Sequence, residues 1–422
     1  MNRSRILAVA LLLSVTPQLV AQQTRTSSAE VVAVLSGHTK SILQIEFSHS
    51  GEIVASSSRD GTVRLWTTAT GASLVTIAGD RDSEISNMNW SSDDRRLAIT
   101  YRGKKFWKLA VWDVPTSQPI ISQRFPNIVL LECSHDGRTF LTLDHELKLQ
   151  IWDVNSKQLT HTLTPALTAK EPFTVSFVAN GQRILTASAG KAIQLWDVLT
   201  GTLIDTYPAN TYGSSYPRDD VPLLSWDKHF LLSGDVNIYD TDTGRSLPSV
   251  TEGKRPISFS PDGKTVLIVS FDNVEKSRHR QSYLSNRKID DGEALAAFQV
   301  PEGIEEIFWS PDGKMMAIMG LEFDTRVIDA VTGREYGRLP YGNCWPWTMC
   351  GSDGCEPIKF SADGAVLLKE KEPLKLWDTG TVSLITILKA AHLPAVFSPT
   401  DGQLLATRSK DKKSVLLWRL KH

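Results

Sequence analysis

The chain has 422 residues, with 46 lysines and arginines against 47 aspartates and glutamates and a formal net charge of −1. Hydrophobic residues make up 41% and charged residues 22%, with 27 Gly, 20 Pro, 12 Trp and only 4 Cys. This composition excludes a disordered chain, a collagen-like rod and a disulfide-dominated scaffold, and the charge balance lacks the basic excess of wholesale nucleic-acid binding.

Residues 1–21 carry Arg3 and Arg5, an apolar run from Ile6 to Val15, then Pro17 and the small residue Ala21. These are the parts of a secretory signal, and the run is about half of the ~20 residues that a membrane-spanning helix needs. An uncleaved anchor is the alternative. The expectation is cleavage near Ala21, a flexible mature N-terminus over 22–29, and a secreted or periplasmic protein with no stable membrane insertion.

From residue 30 to 422 one pattern recurs roughly every 44 residues. An apolar strand ends in an aromatic, a Ser-x-x-Gly turn follows, then a second apolar strand, and a third that ends in Trp-Asp. The first copy runs from Ser41 to Phe47, turns at Ser48-His-Ser-Gly51, and continues through Ile53 to Ala55 and Thr62 to Trp66. Later turns stand at Ser134-His-Asp-Gly137, Ser260-Pro-Asp-Gly263, Ser310-Pro-Asp-Gly313 and Ser361-Ala-Asp-Gly364. Asp-Gly suits such bends because glycine accepts positive φ. The third-strand markers are Trp66, Trp112, Trp152, Trp196, Tyr239, Ile328, Trp377 and Trp418. Between Tyr239 and Ile328 lie two periods, so a unit around Phe259 to Leu295 has lost its marker. Nine units result.

These residues resemble the WD-repeat family of β-propellers, from about Val31 to Leu420. Only the first unit carries the full set, with Gly37-His38, Asp60-Gly61 and Trp66. The resemblance implies a buried hydrogen-bond network of His38, Asp60, Trp66 and either Ser56 or Ser58, with most blades relying on apolar packing instead. Phe259-Ser-Pro-Asp-Gly263 and Trp309-Ser-Pro-Asp-Gly313 look as much like TolB-type propeller repeats. The expected fold is all-β: a propeller of four-stranded antiparallel blades, nine by unit count, with eight or seven as alternatives. The last unit has only three strands, so the segment from Glu30 to Leu35 is expected to supply its fourth and seal the ring.

In a meander a-b-c-d, the a–b and c–d turns lie at one end of a blade and the b–c turns and d–a crossings at the other. The long irregular segments are Pro208 to Val221 and Pro340 to Pro357 (d–a), and Tyr101 to Lys108 and Asp272 to Tyr283 (b–c). All fall at one end. They hold the candidate partner-binding residues Trp107, Tyr212, Tyr216, Arg278, Arg280, Tyr341, Trp345 and Trp347, of types common at binding hot spots. Further basic residues there are Arg102, Lys104, Lys105, Lys108, Lys276 and His279. A solvated rim is the plainer reading of the basic residues.

Cys344, Cys350 and Cys355 share one crossing. A disulfide of Cys344 with Cys355, or one using Cys350, is plausible in an exported protein, and a fourth ligand for zinc is absent nearby. Cys133 reads as a buried small apolar residue. No nucleophile elbow, zincin, phosphate-loop or dinucleotide motif is present, and Asp240-Thr-Asp-Thr-Gly244 lacks the later glutamate of a calcium loop. No catalytic residue, cofactor or metal is therefore assigned. The sequence points to a monomeric, non-catalytic scaffold that binds other proteins, not nucleic acid, through the insertion-bearing end. The alternative is a periplasmic or secreted propeller enzyme, or a glycan- or peptide-binding propeller, that uses the central funnel.

Overall fold

The computed structural model describes residues 28–79, 83–168, 173–188, 191–208, 223–225, 228–232, 238–243, 246–247, 255–271, 282–300, 304–320, 325–339, 358–369 and 373–421. Within them the chain is a succession of antiparallel meanders, with one short 3-10 turn at Ala179–Gly181. Blade 1 consists of strands Ile42–Phe47, Ile53–Ser58, Thr62–Thr67 and Ser73–Ala78, designated a to d. Blades 2 to 8 begin at Ser83, Ile128, Phe173, Leu223, Arg255, Ile304 and Ile358, and blade 9 at Ala391. In blade 5 three strands are described, and the bridge between Tyr239 and Ser246 marks a fourth. The count is nine, not eight or seven.

Blade 9 takes its outer strand from the opposite end of the chain. Ser28–Ser36 pairs antiparallel with Ser414–Lys421, from Ser28 opposite Lys421 to Ser36 opposite Ser414. The strand starts two residues before the boundary expected from the sequence. Ser36 and Ser414 hydroxyls also meet at 3.1 Å.

A four-stranded sheet has two apolar faces, and each is covered by the neighbouring blade. Nine clusters of buried side chains result, each shared by consecutive blades. One of them joins Val54 and Trp66 of blade 1 to Leu404 and Leu417 of blade 9. The sequence of packing thus returns to its start.

The a–b turns are built alike. In blade 7 the buried Ser310 hydroxyl donates to Asp312 at 2.6 Å and accepts the Met315 N–H at 2.8 Å, while Gly313 adopts φ +69°. Ser91, Ser134, Ser260 and Ser361 repeat the same pair of bonds. One side chain supplies both a donor and an acceptor that the tight reversal would otherwise leave unpaired.

The marker position is equally regular. Trp66 lies opposite Val54, Trp152 opposite Phe140 and Trp418 opposite Leu405. In blade 6 the residue in that register is Arg287, opposite Val266, and the c–d pairing shifts there as it does at Trp66. The lost marker is an arginine.

Candidate interaction face

His38 lies in the connection between the Ser28–Ser36 strand and blade 1, and strand pairing brings Ser56, Asp60 and Trp66 around it. Its Nδ1 is 3.0 Å from Asp60 Oδ2 and its Nε2 is 2.9 Å from Ser56 Oγ, which also accepts the Trp66 indole N–H at 2.9 Å. Ser56 is therefore the hydroxyl of the network. Ser58, the other candidate, donates to Lys40 O at 3.0 Å and accepts the Asp60 N–H at 3.1 Å.

Burial, which outweighs the neighbouring carboxylate, lowers the pKa of His38 below 6.5. Burial also works against the Asp60 carboxylate, yet donors from Thr62, Thr39 and His38 hold its pKa at about 2. The pair is thus a neutral imidazole donating to a carboxylate, and the bonds run in one direction from Trp66 to Ser56 to His38 to Asp60. Gly37 is required beside it, since a Cβ there would stand 2.5 Å from an Arg64 guanidinium nitrogen.

The other units keep part of this device. Trp152, Trp196 and Trp418 donate their indole N–H groups to Thr142, Thr186 and Thr407 at 2.9–3.0 Å. In blades 3, 4 and 9 a threonine thus pairs the marker indole. In blade 8 the buried Trp377 Nε1 has no partner among the described residues. The aspartates after the markers serve the c–d turns. Asp153 accepts the N–H and hydroxyl of Ser156 at 2.6 and 2.7 Å, and Asp197 those of Thr200 at 2.8 and 2.9 Å. These donors hold both carboxyls below the usual carboxylate range.

At the b–c and d–a end, residues 209–222 separate strand d of blade 4 from blade 5, and 340–357 separate blade 7 from blade 8. Residues 272–281 separate strands b and c of blade 6. Tyr212, Tyr216, Arg278, Arg280, Tyr341, Trp345, Trp347, Cys344, Cys350 and Cys355 lie outside the described residues.

Blade 2 differs from expectation. The segment from Tyr101 to Lys108 is not a loop: strands Arg96–Gly103 and Phe106–Asp113 run on to a two-residue tip, Lys104-Lys105. Trp107 sits on strand c, half-buried, opposite Arg102 and Phe125, with the Arg102 guanidinium 5.6 Å from its ring centre. Likewise, Tyr283 lies on strand Ser282–Lys288.

At the opposite end the described turns hold two Asp–His pairs, His49 with Asp94 and His229 with Asp242. His49 and Ser50 backbone N–H groups each donate to Asp94 at 2.7 Å, tying the first a–b turn to the second, and the His49 and His135 rings meet edge to face. Among the described residues no hydroxyl or thiol bonds the His49 ring. A cleft of about 430 Å³ between blades 3 and 4 is lined by Trp152, His161, Leu199, Asp153 and Asp197, whose carboxylates are engaged in their own turns. Cys133 lies opposite Phe140 and is half-buried, not fully buried as expected, and desolvation pushes its thiol up to about 12. Among the described residues no group of three or more His, Cys, Asp or Glu side chains could hold a metal ion.

Radially packed four-stranded meanders, with the last completed by the first strand of the chain, define a β-propeller. The sequence profile of the WD domain, G-beta repeat, matches residues 29–67, which include the network of blade 1. The serine-threonine kinase receptor-associated protein of Dictyostelium discoideum is 24% identical over 58% of this chain and 81% of its own length. The WD repeat-containing protein 26 homolog of Arabidopsis thaliana is 21% identical over 93% of this chain and 51% of its own. The COMPASS component SWD3 of Saccharomyces cerevisiae is 27% identical over 44% and 61% respectively. The chain therefore spans about half of the second relative and most of the first. In these matches the chain is similar to WD-repeat proteins.

Proposed function

We propose that this chain is a non-catalytic scaffold that acts outside the cytoplasm and binds another protein through the end carrying its b–c turns and d–a crossings. The observation that carries this reading is the inequality of the two ends. The described a–b and c–d turns are short, and many are held by their own side chains, as at Ser134, Ser310 and Asp197. The long segments 209–222, 272–281 and 340–357, and the lengthened hairpin of blade 2, all join strands at the other end. A rigid frame with unequal connections at one end supports recognition there. Similarity to WD-repeat proteins supports a protein partner, and the Arg3, Arg5 and Ile6 to Val15 pattern supports export.

Two measurements test the reading. N-terminal sequencing of protein from the exported fraction should begin near Gln22, whereas intact chains confined to the cytosol would remove the export element. Crosslinked capture from that fraction should lose its partner when the three segments are shortened, or in the Trp345→Ala/Trp347→Ala pair. Capture that survives shortening of all three would remove the case for this end.

A further inference from the structure

We propose that the lengthened hairpin of blade 2 is an arm that engages an acidic polypeptide segment, through Arg102, Lys104 and Lys105. The inference rests on the reading of this end as the binding end and names the chemistry of what it takes.

In blade 1 strand b ends at Ser58, opposite the first residue of strand a. In blade 2 the residue at that level is Tyr101, opposite Ile85, and the strands continue through Arg102 and Gly103 and return at Phe106 and Trp107. Two further residues per strand extend the paired strands by about 7 Å, at ~3.3 Å per residue. The extension is well built. Strand d, Gln118–Pro126, runs alongside to its end, and Gly103 leaves room for the Phe106 ring, which a Cβ would strike.

The charge on this arm has one sign. Between Leu97 and Trp112 stand Arg102, Lys104, Lys105 and Lys108 and no acidic residue, in a chain of net charge −1. Glu84 faces Arg102 across the sheet, but it forms no ion pair with it, and the exposed Arg102, Lys104 and Lys105 make no ion pair among the described residues. Clustered like charges repel one another, and an anionic ligand relieves that repulsion.

The rings decide between anionic partners. Arg102 covers Trp107, Lys108 stands 5.1 Å from the Tyr101 ring centre and Arg124 4.5 Å from that of Phe106. Single-stranded nucleic acid is held by stacking bases on bare aromatic faces, and here the cations occupy them. Tyr101 is fully buried, and neither Phe106 nor Trp107 is exposed for insertion into a bilayer. What remains on offer is a raised set of fixed cations, which suits carboxylates on an extended peptide.

The test is fluorescence anisotropy of the full mature protein with a labelled glutamate–glycine peptide, beside a glutamine–glycine peptide and an oligothymidylate of matched charge. Binding of the acidic peptide should weaken about tenfold or more in Lys104→Glu/Lys105→Glu and in the triple variant adding Arg102→Glu, and fall steeply with salt. The triple variant should gain binding of a lysine–glycine peptide. Lys264→Glu/Lys314→Glu, on a–b turns at the other end, should leave binding unchanged. Thermal melting of each variant verifies folding, which these exposed positions do not disturb. No binding of the acidic peptide, equal binding by the reversed variants, or preference for the oligothymidylate overturns the proposal. Because the probe is synthetic, this outcome is separable from partner capture: capture that persists in a protein blind to the peptide leaves the binding end standing and removes only the acidic arm.

Discussion

Trp66 and His38 meet on one hydroxyl: the indole N–H and the imidazole Nε2 both lie 2.9 Å from Ser56 Oγ. Among the described residues no other group bonds either nitrogen. Ser56→Ala therefore strands two buried polar atoms at once and should destabilise the fold by about 2–4 kcal/mol. Ser56→Thr should retain most of the stability, since threonine holds the indole in blades 3, 4 and 9. Ser58→Ala removes only bonds to backbone groups and should cost about 1 kcal/mol. Urea midpoints of the three variants measure the order.

The same network makes stability depend on pH in a stated direction. Burial lowers the folded-state pKa of His38 below 6.5, so below that pH the unfolded chain binds a proton that the native state refuses. The contribution is full above 6.5 and lost as pH falls from there through the folded value. Asp60, held at about 2 against an ordinary 3.8, adds a second loss confined to that lower window. Denaturation curves of the native protein and of His38→Gln should converge as pH drops below 6.5.

Much of the fold was readable because it repeats. Trp66, Trp152 and Trp418 recur in one register, and Ser-x-Asp-Gly recurs where strands reverse. What escaped was whatever departs from the period. Arg287 is invisible as a marker because its type has changed while its register has not. The hairpin of blade 2 looks like a loop because Arg102, Lys104 and Lys105 interrupt the apolar alternation, yet pairing continues beneath them. The partners of the indoles carried a faint signal, a Ser or Thr ten or eleven residues before each tryptophan, that only the strand register makes specific. Thr186→Val should test its worth. The valine fills the same space but strands the Trp196 indole N–H, at about 1–3 kcal/mol by thermal or urea unfolding. The residue two past the marker's opposite number in blade 8, Lys369, gives Trp377 no such bond, and Lys369→Val should lack that penalty.

Cys133 tests the packing of blades 2 and 3. Its thiol, raised to about 12 by burial, has almost no thiolate at neutral pH. In a variant with Cys344, Cys350 and Cys355 changed to serine, Cys133 should resist alkylation until the chain unfolds. Labelling at the rate of a free thiol in the native state would contradict the packing of this residue against the core shared by blades 2 and 3.

Glu46 offers the opposite pH dependence to His38. It stands on the inner strand of blade 1 opposite Ala55, and its counterpart in blade 3 is Glu132, opposite Leu141. Glu132 accepts the Ser176 hydroxyl at 3.1 Å and the Phe177 N–H at 3.2 Å, with Lys228 Nζ at 3.8 Å. Among the described residues Glu46 has no such partner, and burial alone raises its pKa from 4.5 to about 7. The folded state therefore holds a proton that the unfolded chain releases. Its stabilising contribution is complete below 4.5 and disappears as pH rises towards 7, where ionisation charges a half-buried carboxyl. Glu46→Gln keeps the shape without the charge. It should match the native protein in acid and exceed it at neutral pH by about 1–2 kcal/mol, a figure reduced from the full shift for the solvent that still reaches the group. Paired urea titrations across that interval decide it: a constant gap, or one that widens towards acid, would show that Glu46 has a partner when folded.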